Sequence, residues 1–459
     1  MIRRAFLVAT IAAAFALALA TTAFAAPVPV QPGMATVEQF IPSSGCGCHA
    51  PLVQQWSPSM HAQAIVDPVF LAKVAAAEAD AGAEVAVFCK RCHAPIGNMT
   101  SDFNGTGSEV AGEGVTCMFC HQVVDISGLP GNTSHLLEPD LTRRAQLKEP
   151  TAPHPAVYSE LHERADICGA CHNVGHPTNG AHLESSYTEW SEGPYAAEGI
   201  VCQDCHMSRE AGFVGPSPGK AATGAAQRDN IYAMTFVGAN VGQGPATEST
   251  KLLQSAATVE LDLDDIIAPS TTASFTVTIT NKGAGHYLPT GLTDVREMWL
   301  HVYAEAEDGT VTQIGERRFG TVMQDAEGNH PVEMWNAVAV FSDDRIPPRE
   351  SVSETYAFGM PADAEKATVV AVLNYRSVPD ELAQQAGVEN PVTEMAAARI
   401  PVFASEEIKK GKPATEETPT PAPAEPESGF SWWIVVAVAA VAAAGSLVAV
   451  LVNKARAKA

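Results

Sequence analysis

The sequence predicts a multidomain chain: a mainly α and irregular domain, then an antiparallel β-sandwich of immunoglobulin or fibronectin type, then one transmembrane helix near the C-terminus. Three observations carry this. All ten cysteines of the 459 residues lie between Cys46 and Cys205, apolar residues alternate with polar ones from about residue 256, and residues 432–452 run without a charge. The boundaries that follow are 1–25 for a signal peptide, 26–250 for the Cys-bearing domain, 256–404 for the sandwich, 405–429 for a Pro/Glu/Thr-rich linker, 430–453 for the span and 454–459 for a cytoplasmic tail.

Arg3 and Arg4, an apolar run over 5–20 and Ala23-Phe24-Ala25 supply the charged, apolar and small-residue parts of a secretory signal. At the other end, Trp432 and Trp433 open the uncharged run as interface anchors, and Lys454, Arg456 and Lys458 follow it. The expected localisation is export to the cell membrane, single-pass, with the N-terminal bulk on the periplasmic or cell-surface side. The linker has no apolar period, which predicts an extended tether.

Asp and Glu number 52 against 28 Lys and Arg, and without the five basic residues named at the two ends the balance is 52 to 23. Such a charge excludes nucleic acid as a partner. It favours redox partner proteins, or a quinol-linked membrane donor, with a basic docking surface. A hydrophobic share of 46 % suffices for buried cores and excludes a disordered chain.

The cysteines form five pairs, each followed at once by histidine: Cys46-Gly-Cys48-His49, Cys89-Lys-Arg-Cys92-His93, Cys117-Met-Phe-Cys120-His121, Cys168-Gly-Ala-Cys171-His172 and Cys202-Gln-Asp-Cys205-His206. Four are C-x-x-C-H, the attachment sequence of c-type haem. Two thiols one helical turn apart reach the two vinyl groups on one porphyrin edge, and the next residue turns its imidazole to the iron. The proximal ligands are thus His49, His93, His121, His172 and His206. Disulfides would not require the histidines, and zinc ribbons do not place His directly after the second Cys of every pair. The expected cofactor is haem c in five copies, the first irregular: a single residue separates Cys46 from Cys48, and Gly45 stands where the regular first Cys would be. Either Cys46 reaches its vinyl through a distorted backbone or Cys48 alone holds the ring, while a haemless first motif would leave four.

A haem with a second His ligand carries electrons, whereas an empty distal position binds small molecules. Nine histidines remain after the proximal five. The distal candidates are His61, in an amphipathic stretch 12 residues after His49; His154 and His162, flanking Tyr158; His135, in a polar Thr-Ser-His-Leu loop; and His286, in the loop Gly283-Ala-Gly-His286-Tyr-Leu-Pro289 after a strand. His176 and His182 follow His172 too closely to cross to the far face of the same iron, and His301 and His330 read as ordinary strand and loop residues. No motif ends in Lys, so nothing suggests the lysine-ligated active haem of pentahaem nitrite reductases.

Cys48-His49 with Trp56 and Ser59-Met60-His61, then Gly114-Val-Thr-Cys117-Met-Phe-Cys120-His121, then Cys168-Gly-Ala-Cys171-His172-Asn173-Val174 form a recognisable series. It continues in Tyr187-Thr-Glu-Trp190 and Gly199-Ile-Val-Cys202-Gln-Asp-Cys205-His206-Met207. Together these residues resemble the multihaem cytochrome c superfamily that includes the tetrahaem electron acceptor of hydroxylamine oxidoreductase. The resemblance covers about residues 40–240 and extends to the His286 loop. It implies closely stacked, mostly bis-histidine haems and a role in electron transfer; the short first motif departs from the usual pattern.

Five motifs within the 161 residues from Cys46 to His206 leave about 32 residues per haem. That is too few for a conventional core, so the haems themselves form it, wrapped by loops and short helices such as 68–83, in a domain that does not fold without them. Further on, Phe275, Val277 and Ile279 alternate with threonines, Met298, Leu300 and Val302 alternate with Trp299, His301 and Tyr303, and strands are expected at 334–341, 352–358 and 368–375. No catalytic residue set is visible. The expectation is a membrane-anchored, extracytoplasmic multihaem cytochrome relaying electrons between a membrane donor and an external or periplasmic acceptor. One alternative is a redox enzyme with one open haem iron, acting on nitrogen or sulfur oxyanions or on hydroxylamine. The other is a structural subunit of a larger assembly.

Overall fold

The computed structural model describes residues 27–103, 107–138, 140–212, 214–292 and 294–410. The expected signal peptide, the linker beyond residue 410, the span and the tail lie outside the described residues. Among the described residues no helix is long and apolar enough to cross a membrane.

The Cys-bearing half is built from short helices, several of a single turn, small two- and three-stranded sheets, and loops. Its longest helix, α1 (Pro68–Ala81), starts where Asp67 accepts the Val69 N–H at 3.0 Å and Pro68 occupies the first helical position. It stops at Gly82, whose φ of 93° breaks the segment expected as one helix over 68–83. α2 (Ala83–His93) then carries Cys89, Cys92 and His93 in its last turns. The third motif is the single turn α3 (Cys117–Cys120), capped by Thr116 Oγ1, which accepts the Phe119 N–H at 3.3 Å. The fourth opens with α4 (Asp166–Gly169). The fifth is α5 (Cys202–His206), where Asp204 accepts the Val201 N–H at 2.9 Å.

Backbone bonding separates the first motif from the others. His121 N–H returns to the Cys117 carbonyl at 3.0 Å and His172 N–H to Cys168 at 2.9 Å, the α-helical four-residue ring. His49 N–H instead returns three residues, to Cys46 at 2.8 Å, in the 3-10 turn Gly47–His49. The missing residue is accommodated by a tighter winding.

α6 (Ala246–Ala256) leads into nine strands: β1 (Ala257–Asp262), β2 (Thr272–Asn281), β3 (Glu297–Ala306), β4 (Val311–Phe319), β5 (Thr321–Gln324), β6 (Ala339–Asp343), β7 (Ser351–Gly359), β8 (Lys366–Arg376) and β9 (Thr393–Phe403). They form antiparallel sheets of order β1-β2-β7 and β4-β3-β8-β9, and β5 pairs with β6. Val277 and Ile279 of the first sheet and Leu300, Val302, Val369 and Leu373 of the second are buried in one apolar cluster, so each strand's period-two apolar set points to a shared core. The segments expected at 352–358 and 368–375 fall inside β7 and β8. The segment expected at 334–341 does not hold together: Met334–Asn336 is a 3-10 turn and the strand begins only at Ala339.

The β half grips the Cys-bearing half through side chains. Glu189 and Arg345 are 5 % and 8 % exposed and pair at 2.5 Å, with Asp343 holding Arg345 from the other side at 2.8 Å. Glu189 also accepts the Tyr287 N–H at 3.1 Å and the Thr290 hydroxyl at 2.7 Å. Around them, Lys73 bonds Asp294 and Glu333, Asp80 accepts from Trp335, and Tyr195 donates to the Lys282 carbonyl.

Candidate functional site

All five motifs line one continuous cavity of about 1670 Å³. Apolar packing around it is confined to small clusters, such as Phe40, Ile96, Met99, Phe119 and Leu137 on one side and Ile65, Phe70, Val74 and Ala86 on another. No disulfide joins any of the ten cysteines. Cys168 lies beside Cys202 and Cys171 beside Cys92, so the fourth motif adjoins both the fifth and the second.

The proximal imidazoles share one arrangement. Nδ1–H donates to the carbonyl of Ala221 from His49 (2.7 Å), of Ala64 from His93 (2.9 Å), of Arg144 from His121 (2.6 Å) and of Val237 from His206 (2.6 Å). His172 differs in that its acceptor is a carboxylate, Glu184 Oε1, at 3.1 Å. In every case Nδ1 is occupied and Nε2 is left for the cavity, the orientation a metal-ligating histidine takes when its other nitrogen is held by an outer partner.

Four of the five face another imidazole across the cavity. Ring centres are 6.3 Å apart for His49 and His154, 5.7 Å for His121 and His162, 6.2 Å for His172 and His61, and 6.2 Å for His206 and His286. Two imidazoles bound through Nε2 on opposite sides of one metal, each nitrogen about 2 Å from it, bring their ring centres to roughly 6 Å. These residues therefore fit haem held covalently by the thiols and axially by histidine pairs. His162 differs from the other three: its Nδ1 lies 3.0 Å from Ser159 Oγ and its Nε2 3.0 Å from the Cys120 carbonyl, a contact that would have to be exchanged for the metal. His286 reaches its place because buried Asn281 donates to the His286 carbonyl at 2.9 Å and accepts the Ala284 N–H at 3.1 Å. A Cβ on Gly283 would stand 2.2 Å from the Ser255 carbonyl oxygen, so only glycine fits at that bend.

His93 has no such partner: among the described residues its ring contact is Phe70, stacked at 3.8 Å and 7°. His135, grouped with the distal candidates on sequence, faces no other imidazole. It donates Nε2–H to the Ile167 carbonyl at 3.1 Å and packs edge-on to Phe119. His176 is bonded to the Trp335 carbonyl across the grip between the halves. Burial pushes the pKa of His61 down to about 3, helped by the like charges of His172, His206 and His93, and it pushes His162 and His206 down to about 4. For His172, burial works in the same direction, but the Glu184 hydrogen bond and charge outweigh it and hold the pKa up at about 9. Neither Glu184 nor Phe70 is visible in the sequence, since nothing in His182-Leu-Glu184 or in an apolar helix marks a partner of a proximal imidazole.

The sequence profile of the family described as cytochrome c554 and c-prime matches residues 46–122, the first three motifs. Among solved structures, a penta-heme cytochrome c552 from Thermochromatium tepidum matches with a TM-score of 0.59 at 18 % identity, over 82 % of this chain and 100 % of that one. The CARDB domain of a Pyrococcus furiosus protein matches at a TM-score of 0.18 and 15 % identity, over 32 % of this chain and 85 % of that one. A sporulation control protein from Bacillus subtilis gives 0.16 and 16 %, over 32 % and 49 %. No curated protein matches the sequence. The profile match covers the first three motifs, and the structural match shows a fold shared with a penta-heme cytochrome.

Proposed function

We propose that the protein is a membrane-anchored, extracytoplasmic five-haem c-type cytochrome that relays electrons between a membrane donor and an external or periplasmic acceptor. The observation that carries the relay is the set of four histidine pairs at 5.7–6.3 Å. Haem c bound at each motif supplies a one-electron iron couple. The chain's own residues do the rest. The thiols fix each ring, the backbone carbonyls orient the proximal imidazoles, and His61, His154, His162 and His286 close the far faces. In this reading the β half, an immunoglobulin-like platform, is part of the wire because it supplies His286. The uncharged run at 432–452 and the signal-like N-terminus support the anchoring and the address, and the acidic charge supports basic redox partners.

A second reading is favoured by one observation, the absence of a facing imidazole at His93 among the described residues. A ring held by Cys89, Cys92 and His93 would then have no histidine on its far face, and a small nitrogen or sulfur oxyanion, or hydroxylamine, is the class of molecule that would be reduced or oxidised there. Both readings meet one test: haem stoichiometry and optical and EPR spectra of the purified ectodomain, with and without CO. Five haems, four low-spin and one high-spin and CO-reactive, are expected. Five CO-indifferent haems would remove the open-iron reading and keep the relay, whereas fewer than four low-spin haems would overturn the relay.

A further inference from the structure

The fourth motif is the meeting point of the centre. Cys171 lies beside Cys92 of the second motif and Cys168 beside Cys202 of the fifth. His61, which faces His172, lies within electrostatic reach of His93 and His206. The first and third motifs adjoin each other, since Cys46 and Cys117 interact, as do His121 and the pair His49 and His154. Cys120 of the third motif interacts in turn with Cys168 and Cys171. The fourth motif therefore has the second, third and fifth as neighbours, and the first adjoins the third.

At this junction the outer partner changes from an amide carbonyl to a carboxylate. Glu184 is 13 % exposed at its side chain, accepts Nδ1–H of His172 at 3.1 Å and is steadied by Ser186 Oγ–H at 3.3 Å. Ser186 Oγ in turn lies 2.8 Å from Thr290 Oγ1 of the β half. A carboxylate draws the Nδ1 proton toward itself and makes the imidazole a stronger donor to iron. It also places a negative charge beside the ring, and both effects favour the ferric over the ferrous state.

We propose that Glu184 is a positioning residue that lowers the reduction potential of the haem held by Cys168, Cys171 and His172, so that the junction passes electrons to its neighbours and does not store them. This rests on the reading that the motif carries a bis-histidine haem. The carboxylate hydrogen bond is made at His172 alone: His93 and His206 donate to the carbonyls of Ala64 and Val237, and only the charge of Glu184 reaches His93. An electron reaching this haem is thereby favoured to move on to a neighbour whose proximal imidazole donates to a carbonyl.

The test is a spectroelectrochemical titration of the holoprotein and of Glu184→Gln, with haem count and peptide mass measured on both. With five haems retained, one redox component is expected to rise by about tenfold in its reduction equilibrium, ~59 mV for one electron, with a changed low-spin EPR signal for that haem and the other four in place. Five haems with every component unmoved would overturn the proposal while leaving the haem reading intact. A wild-type chain with no haem on the Cys168–His172 peptide would instead overturn the haem reading beneath it. If Glu184→Gln fails to mature, Glu184→Asp takes its place: a smaller rise of the same component supports the proposal, and an unmoved titration overturns it.

Discussion

The two halves of the molecule solve the burial problem in opposite ways. In the β half, strands of up to 11 residues bring their alternate side chains into one continuous apolar cluster, so side chains alone provide the core. In the Cys-bearing half, elements are often a single turn, the apolar clusters are small, and the centre is a cavity lined by thiols and imidazoles. One half is specified by its own packing. The other surrounds a cavity that its own side chains do not fill.

The strongest way to break this comparison is to withhold haem. In a host without haem attachment, residues of the five-motif region are expected to be cut rapidly by protease, while a fragment from near residue 246 to 404 resists, because only the latter buries its apolar surface without help. Equal resistance of both halves, read by mass spectrometry of the fragments, would show that the cavity half carries its own core.

Next in size is the grip between the halves. Arg345→Ala leaves the Glu189 carboxylate buried without its cation, which costs about 3–5 kcal/mol and is expected to lower the melting temperature of the holoprotein by many degrees. Arg399 and Glu394 also pair, at 3.2 Å, but each is about half exposed. Arg399→Ala is therefore expected to cost under about 1 kcal/mol. Comparable losses from the two variants would mean that the buried grip is only a surface contact.

A smaller effect separates the two kinds of buried histidine. His135 is 2 % exposed, its Nδ1 has no partner, and burial pushes its pKa down to about 4. In the unfolded chain it titrates near 6.5. The fold therefore resists a proton that the unfolded chain accepts. Stability is full above about pH 6.5 and is lost progressively as the pH falls to about 4, by up to roughly 3 kcal/mol. Denaturant unfolding at pH 7.5 and pH 5 is expected to show this slope in the wild type and a flatter one in His135→Phe, with haem spin states unchanged. A new high-spin haem in the variant would make His135 a ligand.

The sequence made the attachment motifs legible because the spacing of two thiols and an imidazole is a local geometric demand. It made β2, β3, β7 and β8 legible because each has a period-two apolar set. It did not announce β4, whose Thr312, Gln313, Glu316 and Arg317 lie on an edge strand with little burial, nor the sharing of the histidines. Whether His61 serves its neighbour His49 or the distant His172 depends on how the loops fold around the cavity, and nothing local encodes it. The partner of His172 is invisible for the same reason: Glu184 is near in sequence, but so is Glu192, and only the short pairing of Val174 with Glu184 brings the carboxylate under the imidazole.

The smallest expected effect concerns the motif that breaks the pattern of its own half. In an α-helix, residues three apart are separated by about 300° around the axis and so lie about 60° from eclipsing. In a 3-10 turn, residues two apart are separated by about 240°, which leaves about 120° between them. Cys46 and Cys48 stand in the second arrangement, since His49 N–H bonds back to Cys46 and Gly47–His49 is a 3-10 turn. Cys46 stands just before the turn at φ −84° and ψ 43°, outside regular helical geometry, on the side of Cys117 of the third motif, where Ser43 Oγ lies 4.0 Å from the Cys117 sulfur. Cys48, directly before His49, keeps the relation to its histidine that the second cysteine has in every regular motif. We expect the first ring to be held by Cys48 alone. Intact mass and pyridine haemochrome spectra of Cys46→Ala should then equal those of the wild type in haem number and band position, while Cys48→Ala should lose one covalent haem. Loss of a haem from Cys46→Ala, or a shift of its band, would show that the tighter turn still delivers both sulfurs to one porphyrin edge.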